Sequence, residues 1–432
     1  MTVVKRIAAG IGANSLAQLI TIGIQLASLP IFLRFWDLQT YGRWLLLSAV
    51  PSYFAVADVG MVTASGNKMT IALGHGDAAE ANRVFQSALI FMVITCGTFA
   101  LLVVLATLSL PLPNVVTPDG RLALCLLILA VLLSLFGGLA EAVYRATGRY
   151  GLGTTLANLT RLGEWCGSII GLLTAGTFAA VATGVLSARV LGLCLLVAFA
   201  RGDRHGIHWR VRDARWHEVR AVAAPAFSFM LFPLSNALNF QGMTLLVGSA
   251  LGPVSVVVFN AYRTLARVAV QASTVLSYSI EPELSRAYGQ RGAHGIVGLY
   301  RHAALMGVVL AVGLSVTLYL SAPLLLRVWT HGRIPFQSTL MLLLVTYAAI
   351  ASAWYVPRTV LTSTNRHAPL ALLSLALAAG TLLVAHVLAR WWQIEGCVGA
   401  MILSELTLAL ICVRLAERVV SVPVLLVRDS AA

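Results

Sequence analysis

Twelve long apolar runs constrain this chain more than any other feature of its sequence. Crossing the hydrocarbon core of a bilayer requires roughly 20 mostly apolar residues. The runs lie at about 7–33, 43–66, 85–111, 121–144, 152–174, 177–200, 218–248, 253–280, 298–326, 337–362, 368–389 and 394–416. Charged residues make up only 11% of the sequence, whereas soluble domains carry about 25%. Such a chain cannot cover a water-facing surface, so we predict an all-α polytopic membrane protein with about 12 transmembrane helices.

Basic residues between the runs predict the orientation of the chain. With both termini in the cytoplasm, 20 Lys and Arg fall in inside segments and 6 in outside segments. This agrees with the positive-inside rule, so topology explains the net charge of +14 and nucleic acid is not a predicted partner. Five tryptophans then fall near the outer interface, where an aromatic belt is expected: Trp36, Trp44, Trp329, Trp391 and Trp392.

The longest connection between runs, 201–217, is also the most basic one. Two six-helix halves joined by a cytoplasmic linker are a common plan of transporters. We therefore predict an N-terminal six-helix lobe at 1–200, the linker at 201–217, a C-terminal six-helix lobe at 218–418 and a cytoplasmic tail at 419–432. All six cysteines lie inside apolar runs without metal-ligand spacing. We interpret them as small buried hydrophobic residues and predict no metal site.

Polar side chains inside the runs indicate a central polar, cationic cavity, because ionisable groups in a membrane usually face the bundle interior or water. The eighth run places a polar stripe on one helical face through spacings of three and four residues. The first and fifth runs repeat the theme, and Arg189 lies deep in the sixth. The predicted substrate-binding residues are Arg161, Arg189, Arg263, Arg267, Asn260, Asn158, Gln271, Asn14, Gln18 and Gln25.

The arginine pair of the eighth run favours an anionic substrate. Arg263 and Arg267 are one helical turn apart and repel each other unless an anion lies beside them. Guanidinium forks match phosphate oxygens, and a pyrophosphate can enter a cavity while its lipid tail stays in the membrane. Catalytic residues are not predicted, because we find neither a long outside loop nor a metal-binding acid cluster.

The charged residues inside the runs would also form structural ion pairs with each other, and this interpretation stays open beside substrate binding. Glu164 lies three residues after Arg161 and would neutralise it, and Arg189 would bridge to Glu164 or Glu405. Asp58 would serve as a counter-ion for an arginine, or as a proton or sodium site. We therefore assign Asp58, Glu164 and Glu405 to ion coupling or to counter-ion roles.

Four short stretches resemble the polysaccharide-export flippases: 54–61 (FAVADVGM), 144–150 (YRATGRY), 245–253 (LLVGSALGP) continued by 260–263 (NAYR), and 282–287 (PELSRA). With the twelve-run layout, they resemble the oligosaccharide-flippase (Wzx-like) branch of the multidrug/oligosaccharidyl-lipid/polysaccharide exporter superfamily. The resemblance implies a flippase of the bacterial inner (cytoplasmic) membrane. It would move undecaprenyl-diphosphate-linked repeat units of O-antigen, in lipopolysaccharide biosynthesis, or of exopolysaccharide to the outer leaflet by alternating access.

The resemblance leaves coupling and partners open. Gln241 stands where many such flippases have an acid, which leaves the ion coupling open: transport would use the membrane potential or coupling to H⁺ or Na⁺. We predict no cofactor. Besides the lipid-linked oligosaccharide and membrane lipid, the implied partner is a polysaccharide polymerase or export complex. The alternatives are a drug/cation antiporter of the sister branch and a membrane polysaccharide polymerase or ligase. A drug/cation antiporter requires acidic and aromatic side chains in its cavity to bind an organic cation.

Overall fold

The structure is a computed structural model that describes residues 3–109, 117–201, 206–363 and 368–421. Over these ranges it contains helices and no strands, which confirms the all-α prediction. The helices are α1 Val3–Phe35, α2 Leu38–Ala49, α3 Met61–Gly74, α4 Ala78–Ser109, α5 Pro118–Ala146, α6 Tyr150–Thr174, α7 Phe178–Arg201, α8 Trp216–Ala237, α9 Met243–Leu251, α10 Pro253–Trp329, α11 Ser338–Ala353, α12 Tyr355–Ser363 and α13 Ala368–Ser421. A 3₁₀ helix, Val50–Asp58, joins α2 to α3, and a π-helical turn, Leu238–Gly242, joins α8 to α9.

Each predicted apolar run coincides with a helical stretch. Helices α10 and α13 contain two runs each, and the backbone of α13 breaks between its runs at Trp392 and at Gln393, whose φ of 47° is left-handed. In α10 the predicted connection at 281–297 is itself helical. Eight helical stretches in the described part are long and apolar enough to cross a membrane. The chain is therefore a multi-pass membrane protein.

The chain forms two compact units, Met1–Ala237 and Leu238–Ala432. This division lies one helix further along the chain than predicted, because α8 packs into the first unit. Val222 and Ala226 of α8 share a buried core with Met61 and Phe85. Residues 202–205 of the predicted linker and 422–432 of the predicted tail lie outside the described residues.

Small residues bring α6 and α7 into direct backbone contact in the first unit. A Cβ on Gly184 would lie 1.9 Å from the carbonyl oxygen of Gly167, and a Cβ on Gly171 would lie 2.2 Å from that of Ala180. In membranes, close backbone approach replaces hydrophobic burial as the force that holds helices together. This contact sets the positions of Glu164 on α6 and Arg189 on α7.

Two predictions about exposure are partly wrong. Trp36 and Trp44 do not face outward: they are 6% and 8% exposed and pack with Phe32 and Phe178 in an aromatic cluster. Trp391 and Trp392, in contrast, are exposed, as an interfacial belt requires.

The cysteines also differ in exposure. Cys96, Cys397 and Cys412 are buried, whereas Cys166 and Cys194 are exposed. Periodicity within one helix does not reveal which face a neighbouring helix will cover.

Candidate functional site

An ion pair joins α6 to α7 in the first unit. Arg189 Nε contacts Glu164 Oε1, and the two side chains are 25% and 15% exposed. The charge of Arg161 also acts on the Glu164 carboxyl group. Arg189 therefore takes the bridging role that the sequence left open, with Glu164 rather than Glu405 as its partner. A pair of this kind neutralises both groups and leaves Arg189 with little charge to offer to a substrate.

The polar stripe of α1 faces α6. Arg161 Nη1 donates to Thr21 Oγ1 at 2.9 Å, and Trp165 Nε1 donates to Ser28 Oγ at 3.0 Å. The Arg161 side chain is exposed in spite of this bond. Among the other predicted residues of the first unit, Asn158 is buried, whereas Gln18 and Gln25 are half-buried. The side chain of Asn14 lies outside the described part of the structure.

Glu141 belongs to this polar cluster and was missed in the sequence. It lies in α5, and the charges of Arg161, Arg189 and Arg145 act on its carboxyl group. The signal was an acidic residue inside the fourth apolar run. With Glu141 and Glu164 beside Arg145, Arg161 and Arg189, the cluster holds two acids for three arginines among the described residues.

The Asp58 carboxylate accepts hydrogen bonds from backbone amides. Its Oδ1 accepts a hydrogen bond from the amide of Gly60 at 3.0 Å, and the amide of Val62 also donates to its carboxyl group. These amides open helix α3, where a carboxylate stabilises otherwise unsatisfied N–H groups. No ion pair of Asp58 with an arginine is found among the described residues. The structure therefore shows Asp58 as a helix cap.

In the second unit, Arg263 is locked by the protein's own acceptors. Its Nη1 donates to the carbonyl of Phe240 at 3.0 Å, and its Nη2 donates to Thr244 Oγ1 at 3.0 Å and to Asn260 Oδ1. Its guanidinium also lies 4.7 Å from the ring centroid of Phe259. At 8% exposure, Arg263 is buried. Its contacts give it a positioning role and explain why Asn260 lies one turn before it.

Arg267 has a different environment from Arg263. Its guanidinium carbon lies 4.2 Å from the ring centroid of Phe240, which is a cation–π contact. Its side chain is half-buried. Within the described part of the chain, the Arg267 guanidinium has no hydrogen-bond partner and no carboxylate at ion-pairing distance. A stacked guanidinium keeps its edges available for two parallel hydrogen bonds, so Arg267 has the geometry to bind an anion.

The π-helical turn Leu238–Gly242 makes this arrangement. Such turns widen a helix by one residue and often occur at functional sites. Here the turn carries Phe240, whose carbonyl accepts from Arg263 and whose ring faces both arginines. The same turn includes Gln241, the residue that departs from the flippase pattern. Gln271, further along the predicted stripe, is half-buried in α10.

Glu405 lies in an aromatic environment in the second unit. Its Oε1 accepts a hydrogen bond from Trp354 Nε1 at 2.9 Å. The charge of Arg358 acts on Glu405, and Tyr347 interacts electrostatically with Glu405, Arg263 and Arg267. Tyr347 and Trp354 were also missed in the sequence, because aromatic residues are ordinary in apolar runs. Among the described residues, this cluster brings Glu405 together with Arg263, Arg267 and Arg358, and Arg358 has further contacts of its own.

Solved structures of membrane transporters share this fold. The chain matches an inward-facing conformation of a multidrug resistance MATE family transporter of the MOP superfamily with a TM-score of 0.77 and 13% identity, over 95% of this chain and 98% of that one. An outward-facing conformation of a MATE family transporter matches with a TM-score of 0.68 and 13% identity, over 96% and 94%. A MATE structure in a bent conformation matches with a TM-score of 0.60 and 16% identity, over 96% and 93%.

These matches assign the fold class. The chain has the two-lobe, all-helical fold of MATE transporters. No family model matches the sequence. No curated protein matches it either. At 12–16% identity the solved structures establish the fold, whereas the substrate is a separate question.

Proposed function

We propose that this chain is an alternating-access transporter for an anionic, phosphate-bearing lipid substrate. The finer proposal is a flippase for undecaprenyl-diphosphate-linked oligosaccharide. A single observation carries it: Arg267 lies half-buried in a run predicted to cross the membrane, stacked on Phe240 and without an acidic partner among the described residues. A cation in this setting is costly, and a bound phosphate would repay the cost with two charge-assisted hydrogen bonds.

The balance of intramembrane charge supports an anionic substrate. In the first unit, Arg145, Arg161 and Arg189 lie with Glu141 and Glu164, so that among the described residues two acids offset most of the positive charge. In the second unit, Arg263 and Arg267 act on each other, and neither has a carboxylate at ion-pairing distance among the described residues. An organic cation would be repelled from the second cluster. A diphosphate would balance it.

The membrane potential would drive such a substrate in the useful direction. An inside-negative potential drives negative charge outward and contributes roughly 2.3 kcal/mol per charge per 100 mV if the charge crosses the whole field. MATE structures with the same fold are described as inward-facing and outward-facing, which supports alternating access as the means. Glu405 is the acid in the second unit from which coupling to H⁺ or Na⁺ would operate, whereas Asp58 is held as a cap.

Drug or cation export is the second candidate, and one observation favours it. Glu405 lies among Trp354 and Tyr347, and a carboxylate with aromatic rings is the environment that holds organic cations. The solved structures with this fold include proteins described as multidrug resistance transporters. The two functions make opposite demands on Arg267: anion transport needs its charge, whereas cation export would improve when that charge is removed.

Proteoliposomes with purified protein test the proposal. Flipping of undecaprenyl-diphosphate-linked oligosaccharide is followed by the access of its sugar to an external lectin, and uptake of ethidium is measured in parallel. The variants are Arg267→Ala and Arg267→Lys, with Arg414→Ala as the control, an exposed arginine of the same unit. Losing charge-assisted hydrogen bonds worth about 1.5–3 kcal/mol reduces flipping roughly tenfold to hundredfold in Arg267→Ala. Arg267→Lys recovers part of it, since Lys cannot form the fork.

Each outcome decides between the candidates. Flipping by wild type and Arg414→Ala, its loss in Arg267→Ala, and its decline when the membrane potential is dissipated support the flippase. Full flipping by Arg267→Ala contradicts the anion site. Ethidium transport without flipping, improved by Arg267→Ala, establishes the drug exporter instead.

A further inference from the structure

A basic cleft of about 620 Å³ lies in the first unit, at the end of α7 and beside segment 206–215. It lies outside the membrane-embedded clusters described above. Its lining includes Gln86, Arg201, His208, Trp209, Arg210 and Arg212. In the predicted topology this segment is cytoplasmic. The cleft therefore belongs to the face where anionic lipids concentrate.

The segment that forms the cleft is fixed to α4 by buried side chains. Asn82 Oδ1 accepts from the amide of His208 at 2.8 Å, and Gln86 Oε1 accepts from the amide of Asp213 at 2.6 Å. Ser87 Oγ accepts from a third amide of the segment, at 2.9 Å. Gln86 and Ser87 are 1% and 2% exposed, and Asn82 is 6% exposed. Buried polar groups satisfied in this way hold a segment in one conformation, so the cleft is built in advance of any ligand.

Aromatic contacts build one wall of the cleft. Trp209 packs edge-on against the buried ring of Phe85, with 4.8 Å between the ring centroids. The guanidinium carbon of Arg201 lies 5.9 Å from the centroid of the Trp209 ring. The contact orients Arg201 toward the segment. Arg201 thereby joins Arg210 and Arg212, although it comes from a different element.

The charge of the lining favours an anion. Among the described lining residues, Arg201, Arg210 and Arg212 contribute three positive charges, and Asp213 contributes one negative charge. Asn82 Nδ2 donates to the Asp213 carboxylate at 3.1 Å, so that carboxylate is engaged with α4. All three arginines are exposed. Arginine forks pair with phosphate oxygens, and three of them around one cleft match a phosphate group rather than a single carboxylate.

Exposed apolar side chains lie next to the same arginines. Val211, between Arg210 and Arg212, is 51% exposed, and Trp216 is 57% exposed. Tryptophan prefers the membrane–water interface, where its ring contacts acyl chains and its N–H stays near water. A soluble anion would make no use of these two side chains. A lipid offers both a phosphate for the arginines and a chain for Val211 and Trp216.

We propose that this cleft binds the phosphate headgroup of an anionic phospholipid, with Val211 and Trp216 against the acyl chains. This lipid site is separate from the transported substrate. The proposal is therefore independent of which substrate the second unit binds. Bound lipid would tie segment 206–215 to the membrane surface. The ligand chemistry is a phosphate monoanion on a diacyl tail, as in phosphatidylglycerol.

Native mass spectrometry of the full chain tests the site. Protein in detergent is mixed with equal amounts of phosphatidylglycerol and phosphatidylcholine, and the lipid retained per protein is counted. The variants are Arg210→Gln/Arg212→Gln and Val211→Ser/Trp216→Ser. The control is Arg414→Gln/Arg418→Gln, which removes two exposed arginines predicted on the same side of the membrane. Each arginine near a lipid surface gains roughly fivefold in affinity, so the first variant weakens phosphatidylglycerol binding about thirtyfold.

The expected result is one phosphatidylglycerol bound in preference to phosphatidylcholine, lost in the Arg210/Arg212 variant, weakened in the Val211/Trp216 variant and kept in the control. Equal loss in the control overturns the proposal, since diffuse surface charge would explain the binding. Adding excess inorganic phosphate to the same mixture tests whether the cleft binds a soluble anion instead of a lipid. If it displaces the lipid and raises the apparent Tm as much as phosphatidylglycerol does, the site takes a free phosphate and the lipid assignment is wrong.

Discussion

The guanidinium carbon of Arg267 lies 4.2 Å from the ring centroid of Phe240, and that of Arg263 lies 4.9 Å from the same centroid. One aromatic ring therefore holds two cations that are a single helical turn apart. The ring quadrupole offsets part of their repulsion. This explains how α10 keeps an arginine pair in an apolar run, with Arg263 hydrogen-bonded to three acceptors and Arg267 stacked on the ring.

Replacing Phe240 by Leu should weaken substrate binding. The change removes the surface on which Arg267 is stacked, a contact worth about 1–2 kcal/mol in a desolvated site. The substrate concentration for half-maximal transport should rise about fivefold to thirtyfold. The measurement is the concentration dependence of flipping in proteoliposomes.

Phe259→Leu is the matched control for Phe240→Leu. The ring of Phe259 is fully buried and contacts Arg263, 4.7 Å away. Its loss should lower the apparent Tm while the apparent affinity for substrate stays near that of wild type. Equal effects of both variants on affinity would show that the Arg267 stack has no special role.

The ion pair of Glu164 with Arg189 should behave as a structural unit. Glu164→Gln or Arg189→Gln alone leaves one partly buried charge without its partner, which costs about 1–3 kcal/mol. The double variant Glu164→Gln/Arg189→Gln should be more stable than either single variant, because it removes both charges. The apparent Tm values of wild type, the two single variants and the double variant in detergent show how strongly the stability effects of Glu164 and Arg189 are coupled. Additive losses in the double variant would contradict the pair.

Gly184→Ala should separate α6 from α7. The added Cβ would lie 1.9 Å from the Gly167 carbonyl oxygen, and overpacking of this kind costs about 1–3 kcal/mol. Gly163→Ala is the control in the same pair of helices, since its Cβ would lie 3.8 Å from that of Ala188. The apparent Tm and the yield of folded protein should fall in the first variant and hold or rise in the second. A neutral Gly184→Ala would mean that the two helices are not in backbone contact.

Gln86→Ala should release segment 206–215. It removes the side chain that accepts from the amide of Asp213 and donates to the carbonyl of His208. Trypsin should then cut after Arg210 or Arg212 several times faster than in wild type, because a protease needs a locally opened backbone. Thr95→Ala, on the same helix, removes a hydroxyl that bonds within α4 and should leave the rate unchanged. An unchanged rate in Gln86→Ala would show that other contacts hold the segment.

The helices were predictable because each one is a local consequence of its own sequence. Bilayer thickness sets the length of an apolar run, and the backbone must satisfy its hydrogen bonds within the run. The break in α13 falls between two such runs, as the hydropathy indicated. The unit to which α8 belongs was not predictable, because it depends on the core that Val222 and Ala226 join.

The candidate site was predictable only as a set of residue types. The spacing of Asn260, Arg263 and Arg267 predicted a polar face on α10, and the structure places the first two in one hydrogen-bonded group. The sequence did not show that Glu141 joins the first cluster, since its arginine neighbours lie on other helices. The capping role of Asp58 was equally hidden, because its partners are backbone amides.

Sequence alone determined that the chain is a multi-pass helical membrane protein with an excess of basic residues, since hydropathy, run length and charge are properties of short segments. The tertiary structure decided which charges neutralise each other. Arg189 and Arg267 look alike in the sequence, since each is an arginine deep in an apolar run. A glutamate on the adjoining helix pairs with Arg189, whereas Arg267 meets an aromatic ring. A charge in low dielectric is governed by its nearest neighbours in space, and these are known only once the helices have packed.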